Sequence, residues 1–298
     1  METTTPELLT LSNGVVEIGV PTDRGPRVLH YAMAGGSNVL AHTPALFTDT
    51  RLGRWQPTGG HRLWVAPERM PGSYAPDDRP VRVTSRSDRD VLLEADVDAS
   101  GIEKSLGIAL APSGTGVTLT HRITNRTCWP VRVAPWAITI VDPAATAVLP
   151  QPTWRSHAEQ LVPERRLVQW AYTDFTDPRW RFGPSLITLT PDAARPGAQK
   201  IGAADAHGWA AALGPGWVFI KLFGWEPTAE YPDLGCNAEV FTAADYLEVE
   251  SLAPLTIVEP DASLSHIERW LLLPAPEGDL SEPALATWLN GAARQQPS

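Results

Sequence analysis

The chain has 298 residues, with 24 basic and 34 acidic side chains and a formal net charge of −10. That acidic balance, with a pI near 5.2, excludes the basic stripe a nucleic-acid binder needs, and 43% hydrophobic residues exclude wholesale disorder. No apolar run approaches the roughly 20 residues that cross a bilayer, and METTTPELLTLSNG carries no signal-peptide pattern, so a cytoplasmic protein is expected.

In chain order, Leu9 and Leu11, the turn Asn13-Gly14, and Val16, Ile18 and Val20 predict a hairpin with period-2 alternation. Val28 and Leu29 begin another strand. Residues 45–80 break the pattern with Gly, Pro and Trp and predict a long surface excursion, of the kind that carries function. Strands return at 81–85, 91–97, 102–110, 117–124 and 131–141. Residues 142–165 read as Pro-rich loop. Short strands at 167–173 and 186–190 flank an irregular segment, 174–184. Further strands are predicted at 208–213 and 218–223 around Gly214-Pro215-Gly216, at 239–242, at 246–252 and at 267–273. One helix, at about 280–294, has Ser281 as N-cap, Pro283 in its first turn, and Leu285, Trp288 and Leu289 on one face. Many short antiparallel strands, no linker, no fixed-period repeat and 29 prolines predict an all-β fold: one sandwich or barrel domain over residues 1–298. Twelve tryptophans fit either a Trp-rich core or a cleft of flat apolar faces that suits sugar rings.

Three stretches hold groups that carry chemistry. In Gly59-Gly60-His61-Arg62-Leu63-Trp64-Val65-Ala66-Pro67-Glu68, His61 is expected to move a proton near neutral pH, Arg62 offers a bidentate fork, Trp64 offers a stacking face and Glu68 a carboxylate. As plain scaffold, Arg62 would pair with Glu68 and Trp64 would fill the core. In the second stretch, 172–182, Asp174 and Arg179 are candidates for ligand contact or for a solvated salt-bridge network. In the third, strand periodicity puts Glu248 and Glu250 on one face, and Asn237 and Glu239 likewise share a face. Two close carboxylates raise at least one pKa, as a general base requires. There is no G-x-S-x-G elbow, no P-loop and no H-E-x-x-H. The seven histidines have no ligand spacing, and two cysteines, Cys128 and Cys236, make no disulfide scaffold or four-Cys zinc site. No metal and no cofactor are expected.

The motifs GGHRLWVAPE, ITNRTCWPVRVAPWAIT, YTDFTDPRW and YLEVESLAPL…SHIERW resemble an uncharacterised bacterial family of the DUF4380 type, from about Leu9 to Leu273. The resemblance implies a galactose-mutarotase-like β-supersandwich with its site on a concave sheet face. In the wider superfamily, aldose 1-epimerases use a histidine acid and a strand-borne glutamate base. By that likeness Glu248 is the base, with Glu250 one pleat away. Trp136 stands where the acid histidine is expected, so either His61 supplies the proton from the other loop or the chain does not mutarotate sugars. The expected ligand is a small carbohydrate or sugar-like molecule, bound by Arg62, Trp64, Glu68, Trp136, Asp174, Arg179, Asn237 and Glu239. The likeness leaves open an isomerase, a lyase or a non-catalytic sugar binder, and sets no oligomeric state.

Overall fold

A computed structural model describes residues 7–43, 45–278 and 280–294, and in it the alternating segments pair antiparallel into two large sheets. Residues 1–6 and 295–298, the ends of the expected domain, lie outside the described residues. The cleft sheet runs, in spatial order, Leu167–Gln169, Gln199–Ala203, Ala238–Ala243, Tyr246–Leu252, Val131–Val141, His61–Ala66 and Arg27–Val28, with Thr256–Val258 paired to the start of Val131–Val141. The back sheet has ten strands and carries Val117–Asn125, Ser263–Pro274 and Trp217–Phe223 near its middle. A third sheet contains the Asn13-Gly14 hairpin, as Leu8–Ser12 and Val16–Pro21, and His30–Met33.

The main core lies between the sheets. Leu247 and Val249 enter it from the cleft sheet, and Leu119, Phe219, Trp270 and Leu272 from the back sheet. This follows from the pleat, which sends every second side chain of Tyr246–Leu252 to the same side. The helix Glu282–Arg294 covers the outer face of the back sheet, where Ala286, Leu289 and Ala292 pack on Trp209, Val218, Ile220 and Leu271. Glu282 accepts hydrogen bonds from the backbone N–H groups of Ser185 and Leu186 and pins the helix start.

Three sequence expectations need correction. The irregular segment expected over 174–184 contains Trp180–Phe182, the edge strand of the back sheet beside Leu186–Leu189. The expected surface excursion over 45–80 contains His61–Ala66, a strand buried at every residue. Both its faces are covered, one by the core and one by the cleft walls, so no polar–apolar alternation advertises it. The expected loop over 142–165 contains Thr146–Pro150, which joins the back sheet between Trp209–Gly214 and Leu186–Leu189. Gly60 precedes the hidden strand for a steric reason. Its φ is +66°, and a Cβ there would stand 2.0 Å from the Val28 carbonyl oxygen.

Candidate functional site

Register sets the cleft face. Ile138 lies opposite both Arg62 and Glu250, Glu250 lies opposite Glu239, and Trp136 lies opposite Trp64. The strand Gln199–Ala203 adds Lys200 beside Phe241. Arg62, Trp64, Trp136, Ile138, Lys200 and Phe241, with Trp55, Glu68, Tyr74, Trp170 and Tyr172, line a cavity of about 910 Å³. Its walls are largely aromatic. Trp64 meets Trp136 edge-on at 5.3 Å, and Trp55 at 5.0 Å in a tilted arrangement.

Glu248 is the carboxylate on the cleft floor. It accepts the Tyr246 hydroxyl at 2.6 Å and Arg62 Nη2 at 3.1 Å. Burial raises its pKa, Arg62 opposes this, and the nearby Glu250 adds to the rise. Arg62 lies between indoles, 5.4 Å from the Trp55 ring centre and 5.1 Å from that of Trp64. Burial works against its charge, but Tyr246 and Glu248 keep the guanidinium protonated. Deeper in, Lys200 Nζ bridges Glu239 at 2.7 Å and Glu250 at 3.0 Å. The Trp136 indole N–H also donates to Glu250, at 2.8 Å.

The opposite face of the same strands holds a different cluster. His61, next to Arg62 in the chain, points between the sheets and is fully buried. Its Nε2 lies 2.6 Å from His121 Nε2, and its Nδ1 lies 2.9 Å from Thr139 Oγ1. Lys221, from the back sheet, donates to Thr139 Oγ1 and to the carbonyls of Ala137 and Val249, and pairs with Glu268 at 2.9 Å. His121 Nδ1 donates to the His266 carbonyl. One set of proton positions satisfies the row: Lys221 to Thr139, Thr139 to His61, His61 to His121, His121 to the carbonyl. Both imidazoles are then neutral. Ser251 continues the cluster, between His266 Nε2 at 2.7 Å and Glu268.

His61, His121 and Glu268 bring three ligand atoms within 4.8 Å of one another, a convergence that chain spacing does not reveal. The geometry fits a hydrogen bond better than a metal. Two imidazole nitrogens each about 2.0–2.1 Å from a tetrahedral ion stand about 3.3 Å apart, not 2.6 Å. Lys221 also places a cation against the carboxylate that the ion would need.

This cluster makes stability fall with acid. Burial lowers the pKa of His61 and of His121, and lowers that of His266 to about 3. The unfolded chain protonates these histidines below about pH 6.5 while the fold keeps them neutral, so stability is full above that pH and is lost as pH falls. The loss is about 1.4 kcal/mol per histidine per pH unit. Buried carboxyls held above their usual range, Asp205 at about 7 among them, work in the opposite direction. The histidine contribution is therefore read against His266→Gln: from pH 7 to pH 5 the unaltered chain should lose more melting temperature than this variant, and equal losses would mean that His266 takes up its proton without unfolding.

Of the residues expected from sequence, Arg62, Trp64, Glu68, Trp136 and Glu248 line the cleft. Glu239 and Glu250 lie just beneath, under Lys200. His61 does not reach the cleft, because the pleat turns it to the core side. Arg62 pairs with Glu248 rather than Glu68, which instead takes the Tyr74 hydroxyl. Asn237 is buried and bridges the backbone of Asp205. Arg179 is held by Asp177 and by the carbonyls of Arg195 and Gly197. The exposed Asp174 caps its own turn through Thr176.

Sequence reasoning passed over Lys200 and Tyr246 as site residues. A signal for Lys200 existed. The chain has only three lysines, Lys104, Lys200 and Lys221, and all three are buried. A residue type that normally covers surface is here kept for interior ion pairs.

No family model matches the sequence, and no curated protein matches it. Solved structures do match in fold. A Synechocystis sp. PCC 6803 protein, Slr1438, superposes with a TM-score of 0.58 at 14% identity, over 91% of this chain and 97% of its own. A galactose mutarotase-like protein of Lactobacillus casei gives 0.57 at 12% identity, over 90% and 100%. A candidate aldose 1-epimerase of Escherichia coli K12 gives 0.51 at 15% identity, over 90% and 99%. The chain thus has the all-β galactose-mutarotase-like fold, with antiparallel sheets and a short C-terminal helix. Among the described residues no helix is long and apolar enough to cross a membrane.

Proposed function

We propose that this protein is an acid/base enzyme of the aldose 1-epimerase or mutarotase type, acting on a sugar or sugar-like cyclic substrate. The observation that carries this reading is Glu248. It is a floor carboxylate held by Tyr246 and Arg62 inside an aromatic cleft of about 910 Å³. Flat indole faces suit the C–H faces of a pyranose, and the carboxylate suits a hydroxyl proton. The fold neighbours named for mutarotase and epimerase likeness support the class without naming a substrate. The motif likeness to the DUF4380 type and a cytoplasmic location belong to the same proposal and rest on sequence alone.

A second reading, a carbohydrate-binding protein without chemistry, is favoured by one observation. An indole stands at Trp136, and His61 faces away from the cleft. Anomer exchange separates the two. Proton NMR of freshly dissolved α-anomers of D-glucose, D-galactose, D-mannose and D-xylose should show equilibration accelerated over buffer by the enzyme. Thermal stabilisation by a sugar with no accelerated exchange supports the binder instead, since about 2.7 kcal/mol accompanies ligand at a hundred times its Kd.

A further inference from the structure

The mutarotase reading needs a second group, one that gives a proton to the ring oxygen while Glu248 removes one from the anomeric hydroxyl. Most cleft groups fail this test. His61 lies on the other side of the sheet. A guanidinium does not release its proton in a protein, which removes Arg62. The hydroxyl protons of Tyr246 and Tyr74 are donated to Glu248 and Glu68. Trp136 has no acidic proton near neutrality.

Lys200 remains. Its ammonium lines the cavity. It stands 4.7 Å from the centre of the Trp136 ring and 4.8 Å from that of Trp170. It therefore lies against the residue that replaces the expected histidine. Behind it, Glu239 and Glu250 face each other directly across neighbouring strands, both fully buried. Like charges so placed resist joint ionisation, and one ammonium cannot neutralise two carboxylates. Glu250 has two donors, Lys200 and the Trp136 indole N–H. Among the described residues Glu239 has only Lys200. Burial, and the charge of Glu250, hold its carboxyl well above the usual range. The cluster thus stores a proton one ammonium away from the cleft.

We propose that Lys200 is the catalytic acid of this cleft and that Glu239 is its proton store; the proposal rests on the mutarotase-type reading above. In ring opening, Glu248 takes the anomeric O–H proton and that bond's electron pair forms the carbonyl. The bond from the anomeric carbon to the ring oxygen breaks, and its pair goes to the oxygen. The oxygen takes a proton from the Lys200 ammonium, and the amine takes one from the Glu239 carboxyl. Closure on the other carbonyl face reverses each transfer, so no atom or charge is gained.

The test uses the full chain and anomer exchange with the same four aldoses. Lys200→Met should lower kcat at least a hundredfold with KM changed less than threefold. Lys200→Arg keeps the charge but cannot release a proton, so it should not restore kcat. On the unaltered chain, the rate should show no alkaline fall between pH 7 and pH 9, because the ammonium stays charged throughout. The groups facing it are Glu239, Glu250, Glu248 and Tyr172, and burial places the Tyr172 phenol at about 12. An imidazole-like decline in that range would overturn the assignment without any variant having to fold. So would wild-type kcat in Lys200→Met, full rescue by Lys200→Arg, or a loss confined to Tyr172→Phe. If the unaltered chain exchanges none of the four sugars, the mutarotase reading itself falls, and that is seen before any variant is made.

Discussion

Glu248→Gln should reduce sugar turnover by about 10²–10⁴-fold, the range that a positioned general base contributes. The amide keeps the size of the side chain and one oxygen for Tyr246 and Arg62, so binding and melting temperature should change little. What it removes is the lone pair that takes the anomeric proton. The carboxylate suits this role because opposing effects bear on it. Burial and Glu250 push its pKa up from the ordinary value, while Arg62 and the Tyr246 hydroxyl stabilise its ionised form. The raised pKa places the acid limb of the rate profile above the usual glutamate range, with activity lost as pH falls through it. Saturation kinetics of anomer exchange decide the matter. Turnover within a few-fold of the unaltered protein would take Glu248 out of the mechanism.

Lys221→Met should destabilise the fold by about 3–5 kcal/mol, the cost of leaving one member of a buried ion pair without its partner. Lys221 reaches from the back sheet to the Ala137 and Val249 carbonyls on two cleft-sheet strands, at 2.8 Å and 3.2 Å. It therefore pins the two layers together as well as neutralising Glu268. Without it, Glu268 is a carboxylate sealed among three histidines that burial holds neutral. At a few degrees per kcal/mol for a chain of this size, the melting temperature should fall by roughly 6–15 °C. The double variant Lys221→Met, Glu268→Gln should recover part of that loss, since it removes the stranded charge. A single variant that melts with the unaltered protein would show that the pair contributes nothing net.

Lys200 and Lys221 show two uses of a buried ammonium. Lys221 has backbone carbonyls, a hydroxyl and a carboxylate around it and is sealed from solvent. Lys200 has two carboxylates behind it and open cavity in front. The first arrangement holds layers together, and the second presents a proton-bearing group to a ligand.

Much of this molecule is written in short-range pattern. The Asn13-Gly14 turn, the alternation of Leu247 and Val249 with Glu248 and Glu250, and the amphipathic helix at Glu282–Arg294 depend on residues a few positions apart. Local φ/ψ preference and the two-residue pleat decide them, so they are legible in the chain alone. The position of Glu248 on a face away from the core follows from the same alternation. Tertiary structure decided the rest. His61 and Arg62 are neighbours in the chain, yet the pleat and the layers on either side give one to the interior and the other to the cleft. Lys200, Glu239 and Glu250 meet only because strand pairing brings three separate segments into register. Local propensity says which residues form a strand. Which strands pair, and what covers each face, is settled by burying the whole apolar surface at once.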